Sequence, residues 1–272
     1  MSEDHPLISA FLRGFTIFEL IVLAAAGVGA MAAQGLIRPI WPWNVAPFNL
    51  AFIGAIYLAS VVPIGMLAAS RKWSLARLIL PMQLVFTGLA LVATLINLNQ
   101  FHFERPATWA WFFLYVTLPA NAAAHLWLYR DAIPDNSAPI SPGWRNYLIV
   151  QSAVLGLYGL ALFVTPAAAS GFWPWTVDAF HGQIYSGAFV ATAVGGLLTS
   201  RGMGRDAVLA LAISQIGIAA LAIGGVLLID AGARRVNWAA AGTWGWIAAF
   251  AVIGFAGAGM IRAEQIAGHS HN

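Results

Sequence analysis

Two side chains of this 272-residue chain could do chemistry at membrane depth: Glu19 and His125. Of ten Asp and Glu residues, Glu19 alone lies well inside an apolar run, and His125 is the one deep histidine of six. A carboxyl beside an imidazole in hydrocarbon could relay protons or bind a cation, and an ionisable residue kept there is a functional candidate by default. Glu19 follows Arg13, and His125 precedes Arg130. At 1.5 Å per helical residue both fall roughly 8–9 Å inside the same membrane edge, so the spacing predicts that they touch. Asn121 lies one turn from His125 on the same helix face. The alternative reading is a structural pair, or two groups shallow enough to reach water.

The other polar candidates are amides. Gln83 and Gln215 sit inside apolar runs and suit hydrogen bonds between helices. Gln151 stands 132 residues after Glu19. His102, Glu104, Asp178 and His181 occupy loops and could in principle hold a divalent metal. Their short spacings match no HExxH or Cys/His signature, however, and no metal site is expected from them. His269 and His271 belong to a polar tail. No cysteine is present, which removes disulfides, thiolate catalysis and Cys-ligated metal clusters. The chain also lacks a P-loop, GxGxxG, GxSxG, a twin-histidine haem spacing, an arginine-rich voltage sensor and a selectivity-filter repeat.

These residues must be positioned by membrane helices. Hydrophobic residues make up 60% of the chain and charged residues only 8%, against about 25% charged in a soluble domain. A span needs about 20 apolar residues. Eight such runs are present, near 13–36, 49–69, 75–97, 107–129, 147–168, 182–200, 207–229 and 239–262. They lack strict alternation, so helices rather than barrel strands are expected. The acidic start, Met1 to Pro6, reads as the lead-in to a retained first span, not as a cleaved signal. With eight spans, nine Lys and Arg fall on the side of both termini and four on the other, which places both termini in the cytoplasm. The net charge of +3 is dispersed over the connections and forms no patch for nucleic acid.

The chain is also written twice. Trp41-Pro42-Trp43-Asn44-Val45 recurs as Trp173-Pro174-Trp175-Thr176-Val177, an offset of 132 residues. The same offset pairs Arg13 with Arg145, Gly27 with Gly159, Phe48 with Phe180, Ala59 with Ala191, and Gln83 with Gln215. Trp109-Ala110-Trp111 returns as Trp244-Gly245-Trp246 at an offset of 135. The expected organisation is a four-helix repeat over 1–130, a linker over 131–145 and a second repeat over 146–272. Pro134, Asp135, Asn136, Ser137, Pro139, Ser141, Pro142 and Gly143 give the linker its turn chemistry. An even number of spans per copy relates the copies by an axis along the membrane normal. Tryptophan prefers the headgroup level, so Trp41, Pro42, Trp43, Trp173, Pro174 and Trp175 are expected to be interface anchors. The alternative is an aromatic lid over an outward pocket. Pro47 and Asp178 suit the first turn and the N-cap of the following helices. Pro63, Pro81 and Pro119 interrupt spans of the first copy alone, so any cavity is expected to be bent open there. Gly195-Gly196 and Gly224-Gly225 suit close helix packing in the second.

The pattern Trp41-Pro-Trp-x-Val-x-Pro-Phe48, the run Gly54-Ala-Ile-Tyr-Leu-Ala59 and Arg105-Pro-Ala-Thr-Trp-Ala-Trp111 resemble a group of uncharacterised bacterial multi-span membrane proteins. Those often read Trp-Pro-Trp-x-Leu-Thr-Pro and Arg-Pro-Ala-Ala-Trp. The resemblance covers most of the first copy and only the Trp-Pro-Trp region of the second, and departs at Ala46, where the group has Thr. It implies a bacterial inner membrane and supplies no catalytic residue.

The expectation is therefore an all-helical polytopic bundle of eight transmembrane helices in two parallel repeats. Its first functional reading is a non-enzymatic binding or transport scaffold for a small or lipid-like apolar ligand, because few buried charges argue against ion-coupled cargo. The rivals are an accessory subunit of a larger membrane complex and, last, a membrane enzyme or proton relay using Glu19 and His125. The expected partners are the bilayer with either a small apolar ligand or a membrane protein. No cofactor is indicated.

Overall fold

The computed structural model describes residues 7–132 and 140–269. Pro134, Pro139, Asp135, Asn136, Ser137, Met1 to Pro6 and His271 lie outside the described residues. Within them, eight long helices carry the fold: α1 (Ala10–Ala32), α2 (Pro47–Ser70), α3 (Trp73–Ile96), α4 (Pro106–Leu128), α5 (Pro142–Val164), α6 (Ala179–Ser200), α7 (Arg205–Ala233) and α8 (Ala241–His269). Six of them, all but α4 and α6, are long and apolar enough to cross a membrane. The other two carry more polar and aromatic residues, such as Asn121 and His125 in α4 and His181, Gln183 and Tyr185 in α6.

Local chemistry sets the ends. Ser9 caps α1 by accepting from the Leu12 amide at 3.0 Å, and Asp178 caps α6 by accepting from the His181 amide at 2.9 Å. Pro47 opens α2 at the first turn, where its missing N–H costs nothing. The run expected to continue to residue 36 breaks after Ala32, and one further turn follows, Gln34–Ile37. The matching run breaks after Val164, ahead of Pro166–Ala169, because Pro166 cannot donate to the ladder. Helix α7 runs on past the expected 229. The Asp230 carboxylate accepts from the amides of Arg235 and Val236 at 2.7 and 2.8 Å and from the Trp238 indole at 2.8 Å, and so ties down the turn that follows.

The helices pack as two rows. In one, α1 packs on α2, α2 on α7 and α7 on α8; in the other, α5 packs on α6, α6 on α3 and α3 on α4. Consecutive helices α2 and α3 touch far less than α2 touches the distant α7. Each row thus joins a helical pair from one half of the chain to a pair from the other. The α1–α2 contact is tight at Gly27, where a Cβ would lie 2.8 Å from Leu58 Cγ. The α5–α6 contact is tight at Gly159, where a Cβ would lie 2.6 Å from Val190 Cγ2 and 3.0 Å from the Ser186 carbonyl. Only hydrogen fits at these crossings. Of the six apolar long helices, α2 is the most enclosed, with 67% of its apolar window buried.

Candidate ligand cavity

Glu19 faces inward from α1 and is only 5% exposed. It accepts from Gln83 Nε2 of α3 at 3.0 Å. His125 of α4 is equally buried but elsewhere. Its Nδ1 lies 2.9 Å from the Asn121 carbonyl, which can only accept, so in the neutral ring Nδ1 donates and Nε2 accepts from Ser9 Oγ at 3.1 Å. Its ring stacks on Phe11 and Tyr129. The expected Glu19–His125 contact is therefore absent. The expectation assumed that Arg13 and Arg130 mark the same depth. Instead the last turns of α4 dock beside the N-cap of α1, and Glu19 lies ten residues deeper than Ser9, about 15 Å along the axis. The Asn121 side chain does not join His125, and its Oδ1 has no partner.

The glutamines pair symmetrically. Gln83 donates to Glu19, and Gln215 Nε2 donates to Gln151 Oε1 at 3.1 Å, with every residue displaced by 132. One polar clasp of each kind ties a first helix to a third. In the C-terminal half the carboxyl is replaced by an amide.

Three of the four Trp-Pro-Trp indoles are enclosed by protein, and Trp175 is half-buried. Trp43 is 1% exposed, and Trp41, Pro42, Trp173 and Pro174 are buried. Trp43 Nε1 donates to His181 Nε2 at 3.0 Å, and Trp175 Nε1 donates to Asn49 Oδ1 at 2.7 Å. Residues 49 and 181 are again 132 apart, so each loop reaches across to the start of the other half's second helix. Trp43 packs edge-on against Trp111, Phe101 and Phe180, and Trp175 does the same against Trp246. Trp109 and Trp244, from the other matched motif, are exposed at 62% and 56%. Their indoles close onto the carbonyls of Phe103 and Trp238.

Because an indole N–H only donates, His181 Nε2 must accept and Nδ1 must carry the proton. Nδ1 then donates to Asp178 Oδ2 at 2.6 Å. Partial burial raises the Asp178 carboxyl, but the hydrogen bonds from the His181 ring and amide outweigh it and leave it below the usual carboxylate range. This arrangement accounts for Asp178 and His181 without a metal. His102 and Glu104 form a separate pair at 3.1 Å.

A cavity of about 330 Å³ opens between the rows on the N-terminal half's side. Helices α1 to α4 wall it, with small residues of α6 and α7, such as Ala188 and Ala210, at its back. Pro63 lines it, and no equivalent proline interrupts the C-terminal half. Its surface is overwhelmingly apolar. The polar exceptions include Glu19, Gln83, Ser60, Thr87, Tyr57 and Tyr115, and no Lys, Arg or His contributes. The two tyrosine hydroxyls lie 2.9 Å apart. Among the described residues Glu19 bonds only Gln83, which leaves one carboxyl oxygen without a protein partner. Trp41 also lines the cavity, and its buried Nε1 has no partner.

Sequence reasoning missed the Tyr57–Tyr115 pair, Asn49 and Asp230. The tyrosines are lost among neighbouring aromatics, and their pairing depends on how α2 meets α4. Asn49 was legible only as the register partner of His181. Asp230 stood one residue beyond the expected end of its span.

Six helices of spanning length and apolarity make this a multi-pass helical membrane protein. Comparison with protein families, curated proteins and solved structures gave no match.

Proposed function

We propose that the chain is a non-enzymatic binding or transport scaffold for a small, largely apolar, lipid-like molecule. The observation that carries this is the cavity. Its volume falls in the range of small-molecule sites, its wall is apolar, and a few polar groups converge in it. In this reading the chain is two four-helix copies in one orientation, with all eight long helices spanning and both termini cytoplasmic. The recurrence of Gln–Glu/Gln and Trp–His/Asn contacts at one offset supports the repeat, and the Lys/Arg distribution supports the orientation. The motif resemblance supports a bacterial inner membrane. A cavity walled mainly by the half with interrupted helices and backed by the other fits a site between copies that have diverged.

Native mass spectrometry of the protein extracted gently from its own membrane tests this. A small apolar molecule retained at about one per chain is expected. A chain that carries only exchangeable bulk phospholipid, or one held solely to another membrane protein, would refute it and favour the accessory-subunit reading.

A further inference from the structure

The C-terminal half shows what the cavity lacks. There, Tyr158 of α5 fills the space between helices. Its hydroxyl accepts from Trp173 Nε1 at 2.6 Å and donates to the Ala169 carbonyl at 3.2 Å. Its ring stands edge-on to Phe189, 5.0 Å between centroids. Moving back 132 residues, Trp173 becomes Trp41, Ala169 becomes Ile37, Phe189 becomes Tyr57, and Tyr158 becomes Ala26. All four of these N-terminal residues line the cavity. The short turns that hold Ile37 and Ala169, Gln34–Ile37 and Pro166–Ala169, correspond at the same offset.

Replacing a tyrosine by alanine removes a phenol ring and its hydroxyl. It leaves an empty space the size of that ring and one indole donor with no acceptor. Trp41 is 93% buried, given its 7% exposure, and its Nε1 is unpartnered, whereas Trp173 Nε1 is satisfied. A buried donor without an acceptor is costly, and native proteins keep few of them.

We propose that the cavity takes a lipophilic molecule with a hydroxylated aromatic ring. The ring seats over Ala26 where Tyr158 seats in the other half. Its hydroxyl accepts from Trp41 Nε1 and donates toward the Ile37 carbonyl, and its apolar tail runs along the wall formed by α3 and α4. Phenolic lipids and lipid-soluble hydroquinones share this chemistry. The inference rests on the binding reading above and on the repeat register, and it names the ligand's head.

The test is equilibrium binding to the full chain in lipid nanodiscs, using 4-nonylphenol, nonylbenzene and a nonyl-substituted hydroquinone as probes. The phenol is expected to bind about tenfold more tightly than nonylbenzene, the worth of one satisfied buried donor. Trp41→Phe should bring the phenol down to the level of nonylbenzene and leave nonylbenzene unchanged. Ala26→Tyr should abolish binding of every probe by refilling the space. A hydroquinone that binds more tightly than the phenol points to a second oxygen contact and a quinol source, and equal binding points to a phenolic lipid. Equal affinities for phenol and nonylbenzene would overturn the ring-hydroxyl inference but leave an apolar ligand standing. Failure of every probe to bind would overturn both. If Ala26→Tyr fails to fold, Trp41→Phe decides alone.

Discussion

The bond between Trp43 and His181 offers the sharpest test of how the two halves are joined. Trp43→Phe keeps most of the aromatic packing against Trp111, Phe101 and Phe180 and deletes only the N–H. His181 Nε2, in a side chain 2% exposed, is then stranded. A stranded buried acceptor costs about 1–3 kcal/mol in soluble proteins, and interhelical bonds in membranes average about 0.6 kcal/mol, so about 1–2 kcal/mol is expected. For a chain of this size each kcal/mol moves the midpoint by about 2–4 °C, which gives a fall of about 2–8 °C. His181→Leu should cost as much, because it strands the indole instead. His181→Asn should cost less than half of that, since Asn49 at the matching position accepts from Trp175 at 2.7 Å through the same kind of oxygen. The assay is loss of folded monomer on heating in detergent, at one scan rate because such unfolding is often irreversible. Equal losses for His181→Asn and His181→Leu would refute the reasoning, since an acceptor would then not be what position 181 supplies. So would a Trp43→Phe variant as stable as the parent.

Three further outcomes follow from the same contacts. Gly159→Ala should destabilise by about 1–3 kcal/mol, more than Gly27→Ala, because its Cβ meets a stiff valine and a carbonyl; adding Val190→Ala should recover part of the loss in the same heating assay. Glu19→Gln should fold with stability within about 1 kcal/mol of the parent, since Gln151 already makes this clasp with Gln215; a collapse in yield and melting would show that the carboxyl is structurally required. Asp178 sits below its ordinary value in the folded state, so it contributes stability that is present at neutral pH and lost as pH falls below about 4; Asp178→Asn should flatten that acid limb of a stability–pH profile, and an unchanged limb would place the acid sensitivity elsewhere.

Much of the architecture was legible in the residues. Apolar runs of spanning length separated by Pro, Gly and charge mark helices in lipid whatever the tertiary fold, because the backbone must satisfy itself there. The recurrence of Trp-Pro-Trp at 132 residues set the register, and that register later paired Glu19 with Gln151 and Asn49 with His181. The prolines of α2, α3 and α4 correctly pointed to a cavity on their side. Which helix lies against which was not legible, because lipid-facing and protein-facing residues are equally apolar and periodicity carries little signal in a bilayer. That is why the reach of Trp43 to His181 and of Trp175 to Asn49, each across to the other half, could not be read from the residues. It is also why Glu19 and His125, matched in depth by counting residues, are held apart by the offset at which α4 docks on α1. Composition and repeat determined what the elements are. Only tertiary packing, through the tilt and stagger of rigid helices, decided that Glu19 meets Gln83, and that Ala26 leaves Trp41 beside an empty, ring-sized space.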